Sequence, residues 1–122
     1  MENMNYNLDL KDDAKVKSLN ILVNQCWKIL PIYEGRDRDK NITFSKQEAY
    51  ENYQKHLSFL ITKVSGASKI WKDNRYYVEL LYLLNGMTDF GPGEHDRVKY
   101  LVHHIINLIK NMEKEVLDSE IL

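Results

Sequence analysis

A chain of 122 residues has room for one domain with a genuine core and too little for two. Its 17 basic and 18 acidic residues leave a formal charge of −1, which excludes whole-molecule steering toward nucleic acid or anionic lipid. Cys26 is the single cysteine, so an internal disulfide and a cysteine-rich zinc site are excluded as well.

The opening residues, Met1-Glu2-Asn3-Met4-Asn5-Tyr6-Asn7, carry neither the basic start nor the apolar run of a signal peptide. No segment reaches the roughly 18 continuous apolar residues that a membrane span needs, so a soluble, reduced, cytoplasmic protein is expected. Residues 1–11 read as a flexible, Asn-rich tail and residues 12–122 as one helical regulatory domain. A first helix is predicted from Asp12-Asp13, whose carboxylates suit the positive end of a helix dipole. Val16, Leu19, Val23, Cys26, Trp27 and Leu30 then follow the three-four spacing of one buried face, and Pro31 ends the helix. On that stripe Cys26 reads as a small core residue rather than a reactive thiol.

Residues 34–41, Glu-Gly-Arg-Asp-Arg-Asp-Lys-Asn, read as a charged, solvated connection with a turn at Gly35. Ser45 and Glu48 form a capping box, with Phe44 placed to staple against Ala49. The helix that follows is predicted to bury Ala49, Tyr50, Tyr53, Leu57, Leu60, Ile61 and Val64, and Gly66 closes it.

Ser68 is placed to cap a third helix that runs to about Asn85, with Gly86 as its stop. From Tyr76 to Leu84 its apolar and aromatic residues point to nearly every side, and a helix that is apolar all round must be surrounded. It is therefore predicted to be the central helix, with its excess surface given to a ligand or a second copy. Pro92 and Gly93 precede the last helix, which opens with Glu94 and Asp96. Its stripe is Val98, Leu101, Val102, Ile105, Ile109, Met112 and Val116. Strand-like alternation and internal repeats are absent, so the class is all-α, a single domain of four to five long helices.

Several residue sets invite a chemical reading. His103 and His104 are adjacent and so point about 100° apart on a helix, while His56 and His95 lie elsewhere. With no Glu-x-x-His pair either, no metal site is expected. Lys55, Lys63, Lys69 and Lys72 come nearest to a basic face but are interrupted by acidic and aromatic residues, so no nucleic-acid partner is expected. Gly91-Pro92-Gly93 lacks the Gly-x-x-x-x-Gly-Lys pattern, and Glu94 and Asp96 would repel a phosphate there. Eight tyrosines and two tryptophans make an unusual aromatic load, suited to simple packing, to lining a cavity for an amphiphile, or to forming a dimer face.

Arg97 with His103 or His104 resembles the loose Arg-x4-to-6-His pattern of the HEPN ribonucleases, small helical dimers that cut RNA without metal. A guanidinium can hold a phosphate while an imidazole moves the proton. Arg97 and His104 share a helix face about 10 Å apart along the axis. Val98 stands where that family usually has a polar residue. A metal-independent ribonuclease is the enzymatic alternative that this resemblance implies, and an interaction-based inhibitor from a mobile element is the other.

The stretch from Lys55 to Leu108, which begins Lys-His-Leu-Ser-Phe-Leu-Ile-Thr-Lys-Val-Ser-Gly-Ala-Ser-Lys-Ile-Trp and continues through Tyr76-Tyr77-Val78-Glu79-Leu80-Leu81-Tyr82-Leu83-Leu84 to His103-His104, resembles another group. These are stand-alone sensor-domain proteins of spore-forming bacilli, similar to the N-terminal sensor domain of a sporulation histidine kinase. The resemblance implies a globin-like fold without haem, a homodimer, and a fatty acid and a halide such as chloride bound inside. It also implies a non-catalytic role, inhibiting sporulation by competing for the kinase's signal. The helix pattern by itself fits an up-and-down four-helix bundle too. Helical phase, rather than a family motif, selects Trp27, Tyr53, Leu57, Leu60, Tyr77, Leu81 and Leu84 for the acyl chain, and Arg97 and His104 as donors to the anion.

Overall fold

A proline lacks the N–H that the carbonyl four residues earlier would accept, and its ring collides with that carbonyl. In the computed structural model, which describes the backbone of residues 2–121 and the side chains of residues 13–118, Pro31 accordingly breaks the chain upstream of itself. Helix α1 spans Glu2–Trp27 and α2 spans Ile29–Glu34, with Pro31 tolerated in the first turn of α2. The predicted single helix ending at Pro31 is thus two helices divided at Lys28. Helix α1 also starts well before Asp12-Asp13, and the side chains of the expected tail, residues 1–11, lie outside the described residues.

Gly35 stops α2 at φ 80°, and the N–H groups of Gly35 and Arg36 donate to the carbonyls of Ile32 and Pro31, both at 3.0 Å. A Cβ at Gly35 would meet the Phe44 carbonyl oxygen at 3.0 Å, so both the dihedral and the space call for glycine. The predicted connection is solvated from Arg38 to Asn41, and its own hydrogen bonds close it into a loop. Asp37 Oδ1 accepts from the N–H groups of Asp39 and Asn41, both at 2.9 Å, and Arg36 bridges antiparallel to Ile42.

Helix α3, Lys46–Gly66, begins with both halves of the capping box. Ser45 Oγ accepts from the Glu48 N–H at 3.1 Å, and Glu48 Oε1 accepts from the Ser45 N–H at 3.2 Å. Ala49, Tyr53, Leu57, Leu60 and Val64 are buried, as predicted, whereas Tyr50 and Ile61 are half-buried.

The predicted central helix is divided. Ser68–Trp71 forms the short α4, and Arg75–Met87 forms α5, which runs through Gly86. Ser68 does not act as a cap; Asn74 does, its Oδ1 accepting from the N–H groups of Tyr76 and Tyr77 at 2.9 and 3.1 Å. Helix α5 buries Tyr77, Leu80, Leu84 and Met87 and leaves Val78 and Tyr82 58% and 75% exposed, so it is not surrounded.

The central position belongs to α6, His95–Ile121, which packs against α1, α2 and α5. Its wide stripe, from Val98 and Val102 through Ile105, Ile106 and Ile109 to Met112 and Val116, belongs to one continuous hydrophobic core. Each such side chain, fully buried, contributes roughly 1.5–3 kcal/mol. The class is all-α in a single domain. No helix among the described residues is long and apolar enough to cross a membrane.

Candidate functional site

Most of the residues selected for an acyl chain are committed to packing. Tyr53, Leu57, Leu60 and Leu84 have no exposed surface, and Tyr77 is nearly as buried. Both tyrosine hydroxyls bond to helix ends. Tyr53 donates to the Met87 carbonyl at 2.7 Å and Tyr77 to the Val64 carbonyl at 2.6 Å. Val64 and Met87 lie in the last turns of α3 and α5, where each carbonyl also accepts from a backbone N–H three residues on, and each tyrosine bolts a helix end into the core. Burial raises both phenol pKa values, and Tyr33, Tyr50 and Glu94 push that of Tyr53 up further.

Leu81 is half-buried, and Trp27 does not face inward. It is 45% exposed, with its ring edge-on to His103 at 5.5 Å. Adjacent helix residues diverge by about 100°, and the inward direction is taken by Cys26, which is fully buried. Burial pushes the Cys26 thiol up to about 12, which keeps it protonated and inert.

Arg97 and His104 share one face of α6, as predicted, but neither turns inward. Arg97 Nη1 donates to Glu94 Oε1 at 3.1 Å, and His104 Nε2 lies 3.7 Å from Glu79 Oε2. Tyr100 stacks on His104 with ring centroids 6.4 Å apart. A carboxylate beside each donor disfavours a halide or a phosphate at either position. The guanidinium and the imidazole each lie beside a surface carboxylate of their own rather than forming an assembled phosphate-cleaving pair. Among the described residues no three His, Cys, Asp or Glu side chains converge to hold a metal ion.

A groove opens elsewhere. Helices α1 and α3 approach where His56 Nε2 donates to the Gln25 carbonyl at 2.8 Å, and a space of about 130 Å³ lies between them. It is lined by Leu19, Ile21 and Leu22 of α1, Leu60 and Val64 of α3 and Trp71 of α4, together with Tyr77, Leu80 and Met112. Ser18, Gln25 and Lys63 supply polar atoms at its rim. An apolar cavity of ~150 Å³ takes one benzene, so this pit accepts a ring or a few carbons and does not enclose a long acyl chain. Leu60 and Tyr77 are the predicted ligand residues that line it; Tyr53, Leu57 and Leu84 pack elsewhere in the core.

Sequence reasoning also missed a clasp. Glu34 Oε1 accepts from Arg36 Nε at 2.8 Å, and Glu34 Oε2 accepts from His95 Nε2 at 2.6 Å. Beside it, the Tyr33 hydroxyl donates to the Gly91 carbonyl and accepts from the Glu94 N–H, both at 2.7 Å. The loop before α6 is thereby pinned to α2. Nothing in the sequence marks these partners, which lie about sixty positions apart. The chain matches no protein-family model, no curated protein and no solved structure.

Proposed function

We propose that the protein is a non-catalytic regulatory domain that works by binding. Its guest places an apolar group in the pit between α1 and α3 and an anionic group against Lys63. The observation that carries this reading is the groove itself: an apolar pit with a cation at its rim, beside a core whose buried polar tips are bonded. A fatty acid fits this description in part. A few carbons fill the pit, and the rest of the chain would lie along the exposed Ile21 and Phe59. The resemblance to the sporulation sensor domains supplies the role, inhibition of sporulation by competition for the signal of a sensor kinase. It also supplies the dimer, for which exposed Val78, Tyr82 and Tyr100 offer an apolar face.

Native mass spectrometry of the untreated protein tests these points together, because it reports subunit number and any retained small molecule. The expected result is a retained amphiphile whose removal lowers the melting temperature, since a ligand bound only to the folded state stabilises it by mass action. Leu22→Trp, which fills the pit, should abolish retention. A protein that retains nothing, and whose melting temperature ignores added dodecanoate and Leu22→Trp alike, would overturn the small-ligand reading.

A further inference from the structure

We infer that the natural occupant of the groove is an acidic amphipathic helix presented by a partner protein. The inference rests on the binding reading above and gives its guest a class.

Charge comes first. Lys17, Arg36 and Arg97 each have a carboxylate partner, at 3.2, 2.8 and 3.1 Å. The other described basic residues, Lys28, Arg38, Lys55 and Lys110 among them, have none, and four of these, Lys15, Lys63, Lys69 and Lys72, concern the groove. These four are not scattered. Lys15 lies over the ring of Trp71 at 5.7 Å and Lys63 over that of Phe59 at 5.5 Å, while Lys69 lies within α4 and Lys72 at its C-terminal end. Trp71 and Lys63 both line the groove. Uncompensated positive charge around an apolar pit calls for a negative partner with an apolar face.

The shape of the apolar surface distinguishes the source. Ile21 on α1, Phe59 on α3 and Ile70 on α4 are 56%, 45% and 60% exposed. Ile21 lines the pit, and Phe59 and Ile70 carry the apolar surface beyond it onto α3 and α4. A small ligand that fills the pit, even one with an acyl chain trailing over Ile21 and Phe59, leaves Ile70 in water. A helix laid along the trench seats one large side chain in the pit and sets its neighbours at i+3, i+4 and i+7 against the outer apolar residues. Its acidic flanks then meet the lysines. A nucleic acid is less well served, because bases stack on open aromatic faces, and lysines cover those of Trp71 and Phe59.

The test is selection of a phage-displayed library of helical peptides on the full chain, repeated on the variant Lys63→Glu/Lys72→Glu. Both positions are exposed, and circular dichroism checks that the variant folds. Selection should converge on acidic sequences with Leu, Ile or Phe at helical spacing. A synthesised winner should bind in fluorescence anisotropy, weaken with salt, and lose tenfold or more in affinity on the double variant. Convergence on basic or neutral peptides, equal binding by the variant, or no convergence would overturn the inference. So would binding to phosphatidylserine vesicles in place of peptides. Dodecanoate, titrated alone, separates the two levels: if it raises the melting temperature while no peptide is selected, the groove binds but not a helix. If neither binds, both readings fail.

Discussion

His95 Nε2 donates to Oε2 of Glu34 at 2.6 Å, tying the first residue of α6 to the last residue of α2. Burial alone would raise the Glu34 carboxyl, but hydrogen bonds and charge from Arg36 and His95 outweigh it and hold the group below its usual 4.5. A carboxyl with a depressed folded pKa contributes stability above its unfolded pKa and loses that contribution as pH falls through the folded value. The melting temperature should therefore fall on acidification from about pH 5 downward. Glu34→Gln should flatten part of that fall in thermal melts followed by circular dichroism. Superimposable pH profiles for the two proteins would show that the clasp contributes nothing.

Asn74, not Ser68, should behave as a helix cap. Asn74→Ala removes two bonds to the first turn of α5 and one from Nδ2 to Glu115 Oε1 at 2.8 Å. A lost N-cap costs about 1 kcal/mol, within a range of roughly 0.5–2. Ser68→Ala should stay within about 0.5 kcal/mol of the parent in urea denaturation. The reverse order would mean that α4 and α5 act as one helix in solution.

Tyr53→Phe should destabilise the fold by about 1 kcal/mol, because it removes the shorter of the two hydrogen bonds to the Met87 carbonyl, leaving that from the Phe90 N–H at 3.3 Å. Tyr82→Phe is the control, since Tyr82 is largely exposed and no hydrogen bond to its hydroxyl is seen. Chemical denaturation of both variants, read as a shift in midpoint at constant slope, decides whether the buried hydroxyl matters.

Gly35→Ala combines an unfavourable left-handed backbone with a Cβ only 3.0 Å from the Phe44 carbonyl oxygen. It should cost more than about 1 kcal/mol. A neutral result would indicate that the loop from Arg36 to Phe44 shifts freely.

Cys26, fully buried and with its thiol pushed up to about 12, should resist iodoacetamide in buffer and alkylate at once in concentrated urea. Mass spectrometry of the intact chain reads the single added group.

The legible parts of this protein are those governed by neighbours within a few positions. Ser45 and Glu48 cap α3 because their side chains reach backbone groups three residues away, and Gly35 turns the chain because its own dihedral requires it. Pro31 was legible as a breaker, although the break falls at Lys28, where the carbonyl conflict moves it. The apolar stripe of α6 was legible from its period, and so was the all-α class.

Periodicity names a face without naming what that face meets. Tyr76 to Leu84 looked as though it had to be enclosed, yet α6 holds the centre and Tyr82 faces water. Trp27 and Cys26 both sat on a predicted inner stripe, and only the folded structure shows that the smaller residue is buried while Trp27 lies half in solvent against His103. The groove between α1 and α3, the Glu34–His95 clasp and the carboxylates beside Arg97 and His104 join residues distant in sequence or on different helices. Local composition settled which segments coil and where they stop, since those energies arise within one turn of helix. Which helix is central, and what surface is left uncovered, followed from how whole faces fit together, a competition among contacts that no short window of residues contains.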